Sequence, residues 1–523
     1  MGRNFLLNVA EHGFSGAGYD LDAEKRRLLL EEGKDFDLQT AETLPEFLEK
    51  IESPRKIMIL VPAQVVDIVI NDLLSSLEPG DIVIDGGNSH FPDTERREKV
   101  LAEKDIDFLG VGVSGGEEGA RHGASIMIGG KQEVYEHVRL YLEAAAARVN
   151  GESCAAYVGR GSAGHFVKMV HNGIEYGLMQ ILAETYDFML RVLKMDYKQM
   201  SDTFAKWNDS ELNSFLVEIT AVVLKKNDRE TGKPLVEMIL DKAAQKGTGK
   251  WTSQVAMDFG VPIPTIDSAV SMRQISAQKE SRSLIAKKFE SQPPTEEHQQ
   301  KTNGETVSSE PQHDMKAELA KQEVETVVSE HHKENIGQQE LQAAEKTVGN
   351  PEDSSKNENL KEECVEDFDK FIEELKNALL ASFITTYSQG MSLMQTASTE
   401  KEYGLNLSEI AKIWRGGCII RSALLEEMRR AFAENPDLPN LMLNDKFAEI
   451  LSNNREDWRS INAKFAESRI PSLCLSSALA YFDAFRSERL PANLIQAQRD
   501  FFGAHTYQRI DTDGIFHTPD WDE

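Results

Sequence analysis

Between Gly164 and Leu178 the chain reads GHFVKMVHNGIEYGL. On a helix, Lys168, His171, Asn172, Glu175 and Tyr176 recur at i, i+3, i+4, i+7 and i+8, a spacing that puts all five on one face. An ammonium and a carboxylate two turns apart in a partly dry cleft can act as general base and general acid, once burial and neighbours move their pKa values toward neutrality. Phe166, Val167, Met169, Val170, Ile174 and Leu178 are apolar, so much of the remaining helix surface is suited to burial and the polar stripe faces inward. Such a stripe needs a ligand or partners. The alternative is a solvated face on which Lys168 and Glu175 do nothing.

The stretches around that helix say what must hold it. Residues 1 to 14 read as a helix with Phe5, Leu6, Val9 and Ala10 apolar and Gly13 as its stop. A short strand follows at Gly16 to Tyr19, ends in Asp20, Leu21 and Asp22, and gives way to a charged helix near Ala23. The apolar runs Ile57 to Val61, Ile82 to Ile84 and Phe108 to Val113 alternate with helical or turn-rich segments, which indicates a doubly wound sheet with ligands at the carboxyl ends of its strands. Two of those ends are glycine-rich: DGGNS at Asp85 to Ser89, and GVSGGEEGARHG from Gly112 to Gly123. Glycine lets a ligand approach backbone N–H groups, and Asn88 and Ser114 add polar contacts.

The predicted fold class is α/β plus all-α: a doubly wound Rossmann-type domain over residues 1–163, then a large all-helical domain over 164–289 and 371–485, then a tail over 486–523 whose aromatics suggest docking. Residues 290–370 are different material. They carry 8 basic against 21 acidic residues, a net of about −13 and a large share of the chain's −29. This acidic, low-complexity insert is expected to be disordered, with a short helix conceivable at Met315 to Val328.

At 523 residues, 40% hydrophobic and 28% charged, the chain has the composition of a globular protein of two or three domains. Its net charge argues against nonspecific binding to nucleic acid or an anionic membrane, while leaving room for a local basic pocket. The four cysteines, Cys154, Cys364, Cys418 and Cys474, show no CxxC spacing and read as structural thiols in a reducing compartment, with no metal site. No apolar run reaches 18 residues and the first residues lack a signal-peptide layout, so a cytoplasmic protein is expected.

The stretches KMVHNGIEY, DGGNS, GVSGGEEGAR, QKGTGKW (Gln245 to Trp251), IWRGGCIIR (Ile413 to Arg421) and LPANLIQAQRDFFGAHTY (Leu490 to Tyr507) occur in one order. In this the chain resembles the decarboxylating 6-phosphogluconate dehydrogenase family, over Met1 to Arg282 and about Phe371 to Trp521. The resemblance implies oxidative decarboxylation of 6-phosphogluconate to ribulose 5-phosphate and CO2 in the pentose phosphate pathway, with hydride passing to NADP, by a homodimer whose tail enters the partner's active site. It implies Lys168 as the base at the substrate's 3-hydroxyl and Glu175 as the acid that protonates C1. Asn88, Ser114, Gly115, Gly116, His171 and Asn172 match positions that bind the sugar acid. Tyr176, Lys246 and Arg273 match the phosphate end, joined by Arg499 and His505 from the other subunit. Cofactor contacts are expected at Gly2, Asp20, Asp22, Val61 and Asn88.

The sequence departs from the family on the cofactor side. Of the opening fingerprint GLAxMGRN only its end remains, with Gly2, and the first strand is absent, which points either to a truncated sequence or to a form that binds cofactor poorly. The family's Asn-Arg-Thr after the next strand is here Asp20-Leu21-Asp22. Carboxylates there suit a free ribose 2′-hydroxyl and repel a 2′-phosphate, although Lys25, Arg26 and Arg27 follow closely, so NADP and NAD both stay open. Pro62 stands in place of a family lysine, and two family prolines are replaced in GASIMIGG (Gly123 to Gly130). These departures leave a second expectation, a catalytically weak paralogue that serves as a sugar-phosphate-binding or structural subunit.

Overall fold

A computed structural model of the chain describes residues 1–290 and 354–521. Over the first 159 residues, short aliphatic runs bounded by Gly, Pro and Asp alternate with amphipathic stretches, and the backbone follows that pattern. The elements are α1 (Gly2–Glu11), β1 (Gly16–Tyr19), α2 (Ala23–Glu32), β2 (Leu38–Ala41), α3 (Leu44–Glu49), β3 (Lys56–Ile59), α4 (Val66–Leu73), β4 (Ile82–Asp85), α5 (Phe91–Ala102), β5 (Asp107–Ser114), α6 (Gly116–His122), β6 (Ser125–Gly130), α7 (Gln132–Ala144), the two-residue strands β7 (Arg148–Val149) and β8 (Glu152–Ser153), and β9 (Ala155–Gly159).

The strands form a five-stranded sheet in the order β3-β4-β5-β6-β9, a separate parallel pair β1-β2, and the small pair β7-β8. Among the described residues no strand joins β1 to β3. Within the large sheet β5 and β6 run antiparallel and the other neighbours parallel. The strands expected at Gly16–Tyr19 and in the three apolar runs are β1, β3, β4 and β5. β2, β6 and β9 were not among those expected: LQTA is half polar, and SIMIGG ends in two glycines.

Side-chain alternation sorts the sheet's two faces. Ile82, Ile84, Leu109, Val111 and Val113 pack with Phe5 and Val9 of α1 and Val138 and Leu142 of α7. Val83 and Phe108 join Ile57, Ile59, Val66, Ile70 and Leu101 on the opposite side. On that second face β5 carries Gly110 and Gly112, and there the helix that follows the sheet domain lies down.

That helix is α8 (Ala163–Arg191), 29 residues long. After it come α9 (Tyr197–Asn208), α10 (Phe215–Lys225), α11 (Leu235–Met238), α12 (Thr248–Asp258), α13 (Pro264–Ala277), α14 (Lys279–Glu290), α15 (Ser354–Glu400), α16 (Leu407–Trp414), α17 (Leu424–Glu434), α18 (Asp445–Glu467), α19 (Leu473–Phe485) and α20 (Ala492–Gly503). Leu379, Phe383, Ile384, Tyr387, Met391 and Met394 of α15 are buried, and close approach to α8 is made at glycines: a Cβ on Gly177 would meet Thr386 at 2.6 Å, and one on Gly390 would meet Ile174 at 2.5 Å. Most of the expected acidic insert, including Met315 to Val328, lies outside the described residues. No described helix is long and apolar enough to cross a membrane.

The tail behaves differently from the rest. Its aromatics divide: Tyr507 and Phe516 exchange backbone hydrogen bonds and Trp521 folds back onto α20, while Phe501 and Phe502 are exposed.

Candidate active site

Two glycines set the distance between sheet and helix. A Cβ on Gly164 would lie 2.2 Å from the Gly110 carbonyl oxygen, and one on Gly112 would lie 2.5 Å from Lys168 Cβ. No larger residue fits either position without separating α8 from β5. The contact seals the stem of Lys168 against the strand and carries its ammonium toward the strand's carboxyl end at Ser114.

Lys168 is only 6% exposed. Its Nζ donates to Asn172 Oδ1 at 2.7 Å and Ser114 Oγ at 3.1 Å, and stands 3.3 Å from His171 Nδ1. Asn172 and Ser114 take two protons of an ammonium, and His171 Nδ1 takes the third in the tautomer that carries its hydrogen on Nε2. Burial nevertheless lowers the pKa of Lys168, against the opposing charge of Glu175. When the amine is neutral it has a lone pair to offer a hydroxyl, from Ser114 or from a ligand. His171 is fully buried, and burial together with Lys168 pushes its pKa well down, so it is a neutral ring with one donor and one acceptor. The edge of Trp414 meets that ring at 5.5 Å.

Glu175 lies on the same face of α8, half-buried, 4.0 Å from His171 Nδ1. Burial raises its pKa, with Lys168 and Arg273 pulling the other way. The amine therefore becomes easier to neutralise and the carboxyl easier to keep protonated. Low dielectric drives both shifts, the condition required of a base and an acid working near neutrality.

The two glycine-rich strand ends meet beside Lys168. Asn88, at φ 54°, accepts from Val113 N–H and donates to the Val113 carbonyl, both at 3.1 Å, which clips the DGGNS turn to the strand residue preceding Ser114. Gly115, at φ 101°, packs so closely that a Cβ would come within 2.6 Å of the Gly417 carbonyl oxygen. Thus the WRGGC stretch forms the wall behind Ser114, with Cys418 buried there as a free thiol.

Beneath the DGGNS turn lies a residue the sequence did not point to. Arg97 of α5 is buried and donates to Asp85 Oδ2 at 2.9 Å, Ser89 Oγ at 2.7 Å and Asp67 Oδ1 at 2.8 Å. Asp85 Oδ1 in turn accepts Gly87 N–H at 2.9 Å. This charged network fixes the turn from below. Nothing in TERREKV marks Arg97 apart from its charged neighbours.

At the far end of the stripe, Tyr176 is buried under the guanidinium of Arg273, which stands 3.5 Å from the ring centroid. Arg273 also donates to the Ala244 carbonyl at 3.0 Å, tying down the segment that carries the exposed Lys246. Lys168, His171, Asn172, Glu175, Tyr176, Ser114, Gly115, Asn88 and Arg273 are thus brought together, and Lys246 is exposed two residues beyond the Ala244 carbonyl that Arg273 holds. Arg499 and His505 do not join them within a single chain. Both are exposed on the tail, and among the described residues their hydrogen bonds and ring contacts stay within the tail.

The cofactor-side residues sit at neighbouring strand ends. A Cβ on Gly2, in the first turn of α1, would be 3.7 Å from Leu60, just past β3 and next to the half-buried Val61. The free N–H groups of that first turn suit a pyrophosphate. At the end of β1, Asp20 accepts Asp22 N–H at 2.9 Å and pairs with Lys25 at 3.5 Å, while Asp22 caps α2 through Glu24 N–H. Arg26 donates to the Asp20 carbonyl at 2.6 Å, and Arg27 is held between Glu24 and Glu31. Lys25, Arg26 and Arg27, the three cations that follow this strand end, are all engaged locally. The end of β1 thus presents carboxylates whose neighbouring cations are already paired.

Comparison with known proteins gives a consistent result. Two family models match: the NAD binding domain of 6-phosphogluconate dehydrogenase over residues 1–159, and the 6-phosphogluconate dehydrogenase C-terminal domain over residues 164–310 and 323–521. The chain is 43% identical over 519 residues to the NADP(+)-dependent, decarboxylating 6-phosphogluconate dehydrogenase of Bacillus subtilis, covering 99% of this chain and 96% of that one. It is 42% identical to the decarboxylating 6-phosphogluconate dehydrogenase 1 of Saccharomyces cerevisiae, covering 97% and 91%. Among solved structures, the 6-phosphogluconate dehydrogenase of Plasmodium falciparum, known in its apo form, with its cofactor NADP+ and with its substrate 6-phosphogluconate, superposes with a TM-score of 0.82 at 37% identity, over 99% of this chain and 98% of that one.

Proposed function

The chain belongs to the 6-phosphogluconate dehydrogenase family, and from that we propose that Lys168 and Glu175 carry out the two proton transfers of its reaction. The protein is an oxidoreductase of the pentose phosphate pathway: it converts 6-phosphogluconate to ribulose 5-phosphate and CO2 while reducing a nicotinamide dinucleotide. The single observation that carries the assignment is the buried face of α8, where Lys168 and Glu175 have pKa values displaced toward each other by the same burial. A structural or merely sugar-binding subunit would have no use for that displacement, and this reading is not favoured.

The residues divide the work. Neutral Lys168 takes the proton of the substrate's 3-hydroxyl as hydride leaves C3. A bound nicotinamide dinucleotide supplies the hydride acceptor. The product is a 3-keto acid with its carboxylate β to the carbonyl. When the C–C bond breaks, its electron pair moves onto the carbonyl oxygen, which the protonated Lys168 stabilises by a charge-assisted hydrogen bond. The resulting enediol is protonated by the carboxyl of Glu175 at the carbon that carried the lost carboxylate, which becomes C1 of ribulose 5-phosphate. Ser114, Asn172 and His171 hold Lys168 in place through both protonation states, and with Asn88, Gly115 and Gly116 they provide the contacts for the sugar acid.

Arg273, Tyr176 and Lys246 are assigned to the phosphate, with Arg499 and His505 completing it from the partner subunit of a homodimer. Their exposure on the tail of one chain supports that division. Gly2, Asp20, Asp22, Val61 and Asn88 would hold the dinucleotide. The relatives' NADP+ supports NADP, whereas the carboxylates of Asp20 and Asp22, with Lys25, Arg26 and Arg27 already engaged, favour a free 2′-hydroxyl. We therefore expect NAD to be used at least as well as NADP.

The test is a steady-state assay of the purified protein with 6-phosphogluconate and each dinucleotide, following reduced dinucleotide and CO2 together. Equimolar appearance of both is expected. Reduction without CO2, or neither product with either dinucleotide, would overturn the assignment.

A further inference from the structure

We propose that Asp500 is a positioning residue for phosphate capture, folding the tail so that Arg499 and His505 are presented as a pair. The inference rests on the assignment of those two residues to the sugar phosphate. It starts from an oddity of burial: of the residues of α20 only Asp500 is fully buried, while Leu494, Ile495, Phe501 and Phe502 around it are exposed. A carboxylate is the last side chain expected to form the core of an exposed segment.

The carboxylate is fully used. Oδ1 accepts Thr506 N–H and His517 Nδ1–H, each at 2.9 Å, and Oδ2 accepts Thr518 N–H at 2.9 Å and the Trp521 indole N–H at 3.1 Å. Burial works against its ionisation, but the donors from Thr518, His517, Trp521 and Thr506 outweigh it and leave the pKa at about 2. Donors from three separate stretches thereby converge on one anion, and the Tyr507–Phe516 backbone pair closes the same loop. What these bonds hold is a strained turn. Ala504 at φ 49° and Thr506 at φ 63° are both left-handed without being glycine, and His505 lies between them. Gln496 Nε2 donates to the Thr506 carbonyl at 2.5 Å, so the turn is held at both its N–H and its C=O. Arg499, the residue before Asp500, donates to Gln496 Oε1 and not to the carboxylate, so its guanidinium is not consumed by its neighbour. Asp500 thus spends its charge on the turn that carries His505 and leaves Arg499 available.

Asp500→Asn replaces one acceptor oxygen with a donor that faces two of these N–H groups. The KM for 6-phosphogluconate is expected to rise about tenfold, with kcat within about threefold and the KM for the dinucleotide unchanged, since a hydrogen bond to a charged group is worth about that factor. Asp500→Glu should restore part of the loss. In an Arg499→Ala/His505→Ala background, adding Asp500→Asn should change KM less than about twofold. The same proportional rise in both backgrounds, or a fall in kcat without a rise in KM, would overturn the proposal. If Arg499→Ala/His505→Ala itself leaves KM unchanged, the phosphate assignment fails; if that variant raises KM and Asp500→Asn does not, the positioning role alone fails. Should Asp500→Asn not fold, His517→Ala and Trp521→Phe each remove one donor and should each raise KM severalfold; no rise in either would count against the proposal.

Discussion

Two of the places where a lysine stands near carboxylates have opposite consequences. At the end of β1, Lys25 pairs with Asp20, and beside them Arg27 lies between Glu24 and Glu31, all largely in water. On α8, Lys168 and Glu175 are two turns apart under protein. The first group caps a helix and satisfies itself; the second has its protonation equilibria moved by burial. Residue type is the same in both places, so the difference comes from what surrounds the charges. Water screens the first set, and the contact of α8 with β5 denies the second that screening.

The largest effect should come from making the buried cation permanent. Lys168→Arg keeps the charge but cannot act as a base, and kcat should fall roughly 10⁴-fold with the fold intact by circular dichroism; a loss under tenfold would erase the contrast between the two regions. Glu175→Gln should cost roughly 10³-fold and alter the pH profile. Because Lys168 must be neutral, kcat/KM should fall as pH drops; because Glu175 must be protonated, it should also fall as pH rises. An alkaline limb unchanged in Glu175→Gln would assign that limb to another group.

Another buried carboxylate sharpens the comparison. Glu184, further along α8, accepts Cys474 N–H at 3.0 Å and Leu475 N–H at 2.9 Å at the start of α19, and burial raises its pKa to about 7. The folded state holds this proton more tightly than the unfolded state, so its stability contribution declines as pH rises from about 4.5 to about 7, by roughly 3 kcal/mol. Urea titrations should find a decline that is smaller by about that amount in Glu184→Gln, and equal slopes would refute the shift. Gly112→Ala drives a methyl into Lys168 Cβ and should destabilise by about 2 kcal/mol while lowering kcat about tenfold. The smallest effect belongs to the exposed set: Arg27→Ala should move Tm by no more than about 1 °C.

Much of this was legible because it follows from spacing. The 3.6-residue period placed Lys168, His171, Asn172, Glu175 and Tyr176 on one face, and four strands were visible, three as apolar runs and one as the short stretch Gly16 to Tyr19 ending in Asp20. The strands that were missed had no such period: LQTA is too polar, and β6 turns back antiparallel beside β5, which no local signal requires. Arg97 was invisible because its partners Asp67, Asp85 and Ser89 lie on other elements. Gly110 and Gly112 had a readable signal, alternate glycines on one face of a strand, but its meaning depends on Gly164 arriving opposite. Asp500 looked like one more charge in a polar tail until the donors of Thr506, His517, Thr518 and Trp521 were gathered around it.

By itself the sequence determined which side chains share a face, which turns expose backbone N–H groups, and which family the motifs in their order resemble. These are properties of neighbours along the chain, set by helix and strand periods. Only the tertiary structure decided which of those charges lose their water. Burial is a sum over elements distant in sequence: β5, α8 and the turn at Gly417 together make the low dielectric that lowers the pKa of Lys168 and raises that of Glu175, as the proposed base and acid require.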